Sequence, residues 1–131
     1  MGEQEIRAAL SRHWTATEAG DYETEHEIYR DDVVLDYPQS GERIHGRDDI
    51  RASRSEHPAQ RKFEIHRVSG SGNVWVTEYV IAYDDVPYYT ISVMEFSDGK
   101  VAHETQYFAA PFAAPAWRSR WAERVGEPAS H

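Results

Sequence analysis

The residue pattern of this chain changes period near its middle, and that change limits what it can fold into. "FEIHRV" (63–68), "NVWVTEYVIAY" (73–83), "YYTISVMEF" (88–96) and "KVAHETQYFA" (100–109) each alternate two sets of side chains. That is the pattern of half-buried strands. The joints between them, "SGSGN", "DDVP" and "SDGK", are short and made of turn residues. Short joints bring sequence neighbours together as antiparallel partners, so the region predicts a four-stranded meander.

The first half follows helical spacing instead. Over residues 3–19, Ile6, Ala9, Leu10, His13, Trp14 and Thr17 share one face. Gly20 is placed to stop that helix and Asp21 to cap another over about 22–30, with Tyr22, His26 and Tyr29 on one side. Glu23 and Glu25 then fall in its first turn, where acids complement the helix dipole. "VVLDY" (33–37) reads as a strand. A third helix opens near "GRDDI" and reaches His57, before Pro58. At the end, "APAWRSRWAERV" sets Trp117, Trp121 and Val125 four apart on a short final helix. Those apolar groups would pin the tail to the body or to a partner, with Arg118, Arg120 and Arg124 solvated. The order α-α-β-α-β-β-β-β describes an α+β domain with helices on one face of a curved antiparallel sheet. The chain, 1–131, reads as a single domain with 111–131 as a C-terminal extension, and its 131 residues suffice for one core.

Composition removes several functional classes. A net charge of -9 argues against nucleic acid, which selects basic surfaces. Without cysteine there is no disulfide framework, thiolate nucleophile or Cys-based zinc site. No basic leader or membrane-length apolar run is seen, so a cytoplasmic protein without membrane contact is expected. "GSGN" opens no helix and is not a phosphate loop. The seven histidines are scattered, and His103 and Glu104 face opposite ways on one strand, so no metal site is expected. Cofactor independence follows as the expectation. Four Trp, eight Tyr and four Phe are many for this length, enough to build a core, an interface or a ligand pocket.

"AGDYETEHEIYRDDVVLDYP", "IHGRDDI" and "ISVMEFSDGKV", in that order, resemble the NTF2-like cone of the SnoaL-like and ketosteroid-isomerase type over about residues 3–110. The ending "QYFAAPFAAPAWRSRWAE" resembles a subgroup of bacterial SnoaL-like proteins that mostly lack an assigned activity. The resemblance implies three N-terminal helices packed on a curved antiparallel sheet. It implies no single function, because the fold hosts isomerases, dehydratases, cyclases, hydrolases and binding modules. In the isomerase branch two aspartates and a tyrosine carry the chemistry. The base aspartate falls on Tyr37, the oxyanion tyrosine on His13 and the oxyanion aspartic acid on Ser92. None is retained, so the resemblance excludes a ketosteroid isomerase.

Strand phase then sorts side chains to the inside or outside of the cone. Val33, Leu35 and Tyr37 form the inner set of their strand, which turns Asp36 outward or to the rim. Trp75, Thr77, Tyr79, Ile81 and Tyr83 share a face; the resemblance turns Thr90, Ser92, Met94 and Phe96 inward, and Ala102, Glu104, Gln106 and Phe108 line the inside of the last strand. Tyr89, Ile91 and Val93 face out, and an apolar outer face of this kind commonly meets a second subunit in this fold, so a homodimer is expected. The expected pocket has walls of Trp14, Trp75, Tyr79 and Phe108, with Ser92 and Gln106 as polar lining. The candidate catalytic groups are His13, Glu104, Arg54 and Tyr37. Arg54 joins them because it lies one turn after Ile50, at a position that faces the first helix in the family. A carboxylate inside an apolar cone must find a partner or shift its pKa, so Glu104 should meet Arg54 or His13. Two functions remain open. One is a cofactor-free isomerase, cyclase, dehydratase or hydrolase using acid–base chemistry on a small, apolar, oxygenated molecule. The other is a non-catalytic ligand-binding or dimeric interaction module.

Overall fold

The computed structural model describes residues 2–126 and orders them as α1 (Glu3–Ala19), α2 (Tyr22–His26), β1 (Tyr29–Tyr37), β2 (Glu42–His45), α3 (Arg47–Ser55), β3 (Arg61–Ser71), β4 (Val74–Tyr83), β5 (Val86–Ser97) and β6 (Lys100–Ala109). A 3-10 turn, Ala116–Arg118, follows. Three helices thus pack on one six-stranded sheet of spatial order β2-β1-β6-β5-β4-β3. The sheet stays open, since β2 and β3 form its two edges.

Turn chemistry sets the meander. Asp84 and Asp85 both take positive φ (49 and 67°), as do Asp98 and Gly99 (54 and 81°). Two-residue loops with both central residues left-handed match the right-handed twist of flanking strands. They join β4 to β5 and β5 to β6 as antiparallel partners, such as Thr77 with Ser92 and Ser92 with Gln106, with one register shift in the second pair between Glu95 and Phe96. At the β3–β4 turn Gly70 lies against Trp75, where a Cβ would come within 2.8 Å of the indole.

The core lies between α1 and the sheet, where Ile6, Leu10 and Trp14 meet Trp75, Tyr79, Met94 and Phe96. The alternation expected from the sequence is present. Val33 and Leu35 are buried, and so are Thr77, Tyr79, Ser92, Met94 and Glu104. Asp36 lies on the opposite side, bound to Arg43 through 2.6 and 3.0 Å hydrogen bonds and to His103 at 2.8 Å. These partners hold its carboxyl down at about 2, Arg43 contributing most.

Four elements differ from the sequence expectation. The second helix stops at His26, not residue 30, because the chain turns at Glu27 and Ile28 and Tyr29 enters β1 opposite Val101. Asp31 and Asp32 therefore belong to a strand. β2 adds a strand that the order α-α-β-α-β-β-β-β does not contain, and it pairs antiparallel with β1 through Leu35 and Ile44. β1 itself runs parallel to β6, an exception in an otherwise antiparallel sheet. The tail forms only the 3-10 turn, and Trp117, Trp121 and Val125 are exposed on this chain.

Candidate active site

Ile50, fully buried on α3, fixes that helix against β1, and Arg54 one turn later reaches under α2 to the sheet. Its guanidinium is buried and fully engaged. Nη1 donates to the Tyr29 hydroxyl at 3.0 Å and to His26 Nε2 at 3.2 Å, and it lies 3.7 Å from Glu25 Oε2. Nη2 donates to Glu104 Oε1 at 3.3 Å and to Gln106 Oε1 at 3.5 Å. Burial opposes the charge, but the Tyr29 oxygen, Glu104 and Glu25 around it raise the Arg54 pKa well above its usual value.

The carboxylates on the two sides of Arg54 are held differently. Glu104 Oε1 accepts a 2.5 Å hydrogen bond from the Tyr29 hydroxyl in addition to the Arg54 contact. Glu104 Oε2 is buried and has no hydrogen-bond partner. Glu25 leaves α2 pointing inward, and burial pushes its carboxyl above the ordinary range, with Arg54 and Arg61 pulling the other way.

The histidines are kept neutral. His13 Nδ1 lies 2.6 Å from the Glu25 carbonyl, which only accepts, so Nδ1 carries the proton. By the same argument His26 Nδ1 donates to the Tyr22 carbonyl at 2.6 Å, leaving Nε2 to accept from Arg54. Burial, with the Arg54 charge adding to it and the carbonyl hydrogen bonds opposing it, depresses His13 to about 3 and His26 to about 4. A second polar chain continues from Gln106, whose Nε2 donates to the Tyr79 hydroxyl (2.8 Å) and Ser92 Oγ (3.2 Å). Burial drives the Tyr79 phenol well above its usual value, so it stays protonated.

Of these groups His13, Glu25, Arg54, Tyr79, Glu104 and Gln106 line a cavity of about 560 Å³ between the helices and the sheet, with His26, Tyr29 and Ser92 behind them. Such a volume lies within the range of ligand sites. The structure brings His13, Arg54, Glu104, Tyr37, Trp14, Tyr79, Gln106 and Phe108 to this one cavity. Trp14 is fixed there by its indole N–H, which donates to Thr77 Oγ1 at 3.1 Å. Trp75 and Ser92 are not part of the lining. Trp75 packs under Arg7 and donates to the Gly72 carbonyl, while Ser92 supports Tyr79 and Gln106.

Sequence phase alone did not single out Glu25, His26 or Tyr29. Glu25 fitted the first turn of a helix equally well, and only its contact with Arg54 shows that it faces inward. Among the described residues no group of three or more His, Asp or Glu side chains is placed to hold a metal, and no helix is long and apolar enough to cross a membrane.

A cone of three helices on an open sheet, with a polar cluster at the floor of its cavity, is the architecture of NTF2-like proteins. Residues 10–104 match the SnoaL-like domain, and the chain belongs to that family. It is 56% identical to an NTF2-like protein of unknown function from Burkholderia xenovorans, with 96% of this chain and 99% of that one aligned at a TM-score of 0.90. A provisionally assigned ketosteroid isomerase from Kribbella flavida is 23% identical, aligning over 94% and 91% of the two chains at a TM-score of 0.85. An LEH-like epoxide hydrolase from M. tuberculosis is 22% identical, over 80% and 83%, at 0.66. These last two likenesses speak for the fold alone. No curated protein matches the chain.

Proposed function

We propose that this protein is a cofactor-independent enzyme that moves protons on a small, largely apolar, oxygen-containing molecule, as an isomerase, cyclase, dehydratase or hydrolase. The observation that carries this reading is Glu104. One carboxylate oxygen is bound by Tyr29 and Arg54 while the other is buried without a hydrogen-bond partner, on a residue that lines the cavity. An open buried acceptor is costly to maintain, and it is where a base would take a proton from a carbon acid, a hydroxyl or a water. Glu25, whose carboxyl burial pushes above the ordinary range, stands on the other side of Arg54 as the candidate proton donor. Arg54 stabilises negative charge that develops between them. Tyr37, Trp14, Tyr79 and Phe108 offer surface for the apolar part of the substrate. His13, neutral at physiological pH, serves the site by orienting Glu25 through its backbone. The exposed Tyr89, Ile91 and Tyr107 on the outer face of the sheet support a homodimer as the working assembly.

The ion pairs of Arg54 give a second reading. Arg54 with two carboxylates can equally be a structural set in a module that binds ligand without turning it over. The test is a panel of enones, β-hydroxy carbonyls and epoxides, assayed for turnover and for binding with wild type and Glu104→Gln. Loss of turnover by about 10²–10⁴-fold with binding retained supports the enzyme, with Glu104 as base. Saturable binding without turnover favours the module, and unchanged turnover in the variant removes Glu104 from the chemistry.

A further inference from the structure

The cavity lining holds two arginines, and their surroundings differ. Arg54 at the floor meets Glu104 and Glu25. Arg61, the first residue of β3, is half-buried, and among the described residues no carboxylate lies within ion-pair distance of it. It stands at the mouth, because Tyr83, its partner across the β3–β4 ladder, stacks at 4.6 Å on the exposed His57. Arg61 Nη2 donates to the Tyr22 hydroxyl at 3.0 Å. The guanidinium carbon lies 5.5 Å from the Tyr22 ring and 5.6 Å from the Phe63 ring. Two rings attract a cation and hold it in place without neutralising it. A guanidinium has five N–H donors, so most of this fork is left open.

Acids are plentiful in this chain, 23 against 14 Lys and Arg, so a half-buried arginine without one is an exception. Arg30, Arg43 and Arg67, on the surface, each reach an aspartate or glutamate. Glu25 feels the Arg61 charge, which opposes the rise that burial imposes on its carboxyl, but its ion pair is with Arg54. Glu42 shares the lining and is exposed on β2.

We propose that Arg61 is a specificity residue that binds a carboxylate of the molecule in the cavity, which makes that molecule a small monoanionic acid with an apolar body and a second oxygen function. The carboxylate takes the open edge of the Arg61 fork at the mouth. The body lies along Phe63, Tyr79 and Ile81, and the second oxygen function meets Arg54 and Glu104 at the floor. A planar carboxylate matches a guanidinium fork with two parallel hydrogen bonds. A dianion such as a phosphate ester fits less well, because the carboxyls of Glu25, Glu42 and Glu104 line the same cavity and one open guanidinium cannot offset two charges. This assignment rests on the reading of the cavity as a small-molecule site and narrows its substrate class. It holds whether or not the bound acid is turned over.

Three acids, benzoylacrylate, phenylglycidate and β-phenyl-β-hydroxypropanoate, are each compared with their methyl esters by isothermal titration calorimetry at neutral pH, where the acids are ionised. Phenyl phosphate serves as the dianion. The full chain is used as wild type, Arg61→Met and Arg61→Lys, and turnover is followed in parallel. At least one acid should bind the wild type about 10-fold or more tightly than its ester. Arg61→Met should abolish that difference and leave the ester affinity unchanged, while Arg61→Lys keeps part of it. Esters bound as tightly as acids, no acid bound at millimolar concentration, or an acid preference that survives Arg61→Met overturns the assignment. So does phenyl phosphate bound more tightly than every acid. The enzyme reading fails separately: acid binding that depends on Arg61 without turnover removes the enzyme and leaves the assignment standing. Turnover of the esters that Arg61→Met leaves unchanged, with no preference for the acids, does the reverse. If Arg61→Met does not fold, the acid-to-ester ratios of wild type and Arg61→Lys decide.

Discussion

Replacing Arg54 with methionine keeps a long apolar stem but removes the only charge between two buried carboxylates. The guanidinium contacts Glu104 at 3.3 Å and Glu25 at 3.7 Å, and it donates to Tyr29, His26 and Gln106. Breaking a buried pair by deleting one partner costs about 3–5 kcal/mol. For a domain stable by about 5–15 kcal/mol, that is a large share of the total. The penalty should depend on pH, and its sign can be worked out. Burial already raises Glu25 above 4.5, and Arg54 opposes that rise, so its removal raises the folded pKa further. A carboxyl whose folded pKa is raised carries no penalty below its unfolded value, and the penalty grows as pH climbs through the folded one. His13 and His26 act in the same direction, because losing the nearby positive charge makes their protonation at low pH easier. Urea denaturation at pH 8 and pH 5 should therefore give a loss of about 4 kcal/mol at the higher pH and a smaller loss at the lower. An Arg54→Met penalty equal at both pH values, or below about 1 kcal/mol at pH 8, would refute the electrostatic account and leave Arg54 a packing residue.

Wild-type stability should fall as pH drops from 6.5 toward 4, because the folded state keeps His13 near 3 and His26 near 4 and so binds fewer protons than the unfolded chain. Replacing His26 with glutamine should flatten that limb in denaturation measured across the range. Gly70→Ala should lower the urea midpoint by about 1–3 kcal/mol equivalent, since the new methyl meets Trp75; an unchanged midpoint would mean the hairpin yields freely. Trp14→Phe, which strands the buried Thr77 hydroxyl, should cost about 1–2 kcal/mol by the same assay. Asp36→Asn should leave ligand binding or turnover at the wild-type level, because its partners Arg43 and His103 lie outside the cavity lining.

The strands were legible because burial on one face imposes a period of two, and a slip by one residue would have exposed the whole Thr77–Tyr79–Ile81 set. The helix–strand border at Tyr29 was not legible. Tyr22, His26 and Tyr29 are spaced four and three apart, as a helix requires, and only pairing with Val101, distant in sequence, makes Tyr29 part of a strand. β2 has four residues, only Ile44 half-buried among them, so local alternation had almost nothing to report. The parallel β1–β6 contact is likewise a fact of long-range closure, and it sets Leu35 opposite Glu104 at the floor of the cavity. Glu104 and Arg54 could be paired from sequence because an inward carboxylate needs a cation. Glu25 could not, since an acid in the first turn of a helix is already accounted for by the dipole.

The three positions that carry the chemistry of the isomerase branch explain why the cone can persist while its chemistry changes. At His13, where that branch places an oxyanion donor, the ring proton is committed to the Glu25 carbonyl and the other nitrogen is unprotonated at neutral pH, so it can accept but not donate. Ser92 is tied to Tyr79 and Gln106, away from the cavity lining. Tyr37 has its phenol raised by burial and cannot act as a base near neutrality. The proton chemistry proposed above rests instead on the set around Arg54, assembled from α2, α3, β1 and β6. Its geometry depends on Tyr29, whose hydroxyl donates to Glu104 Oε1 while accepting from Arg54, and Glu104 Oε2 is left buried without a partner. The core residues of the fold follow a period that pattern reveals, whereas the polar set around Arg54 joins residues distant in sequence and is visible only in contacts.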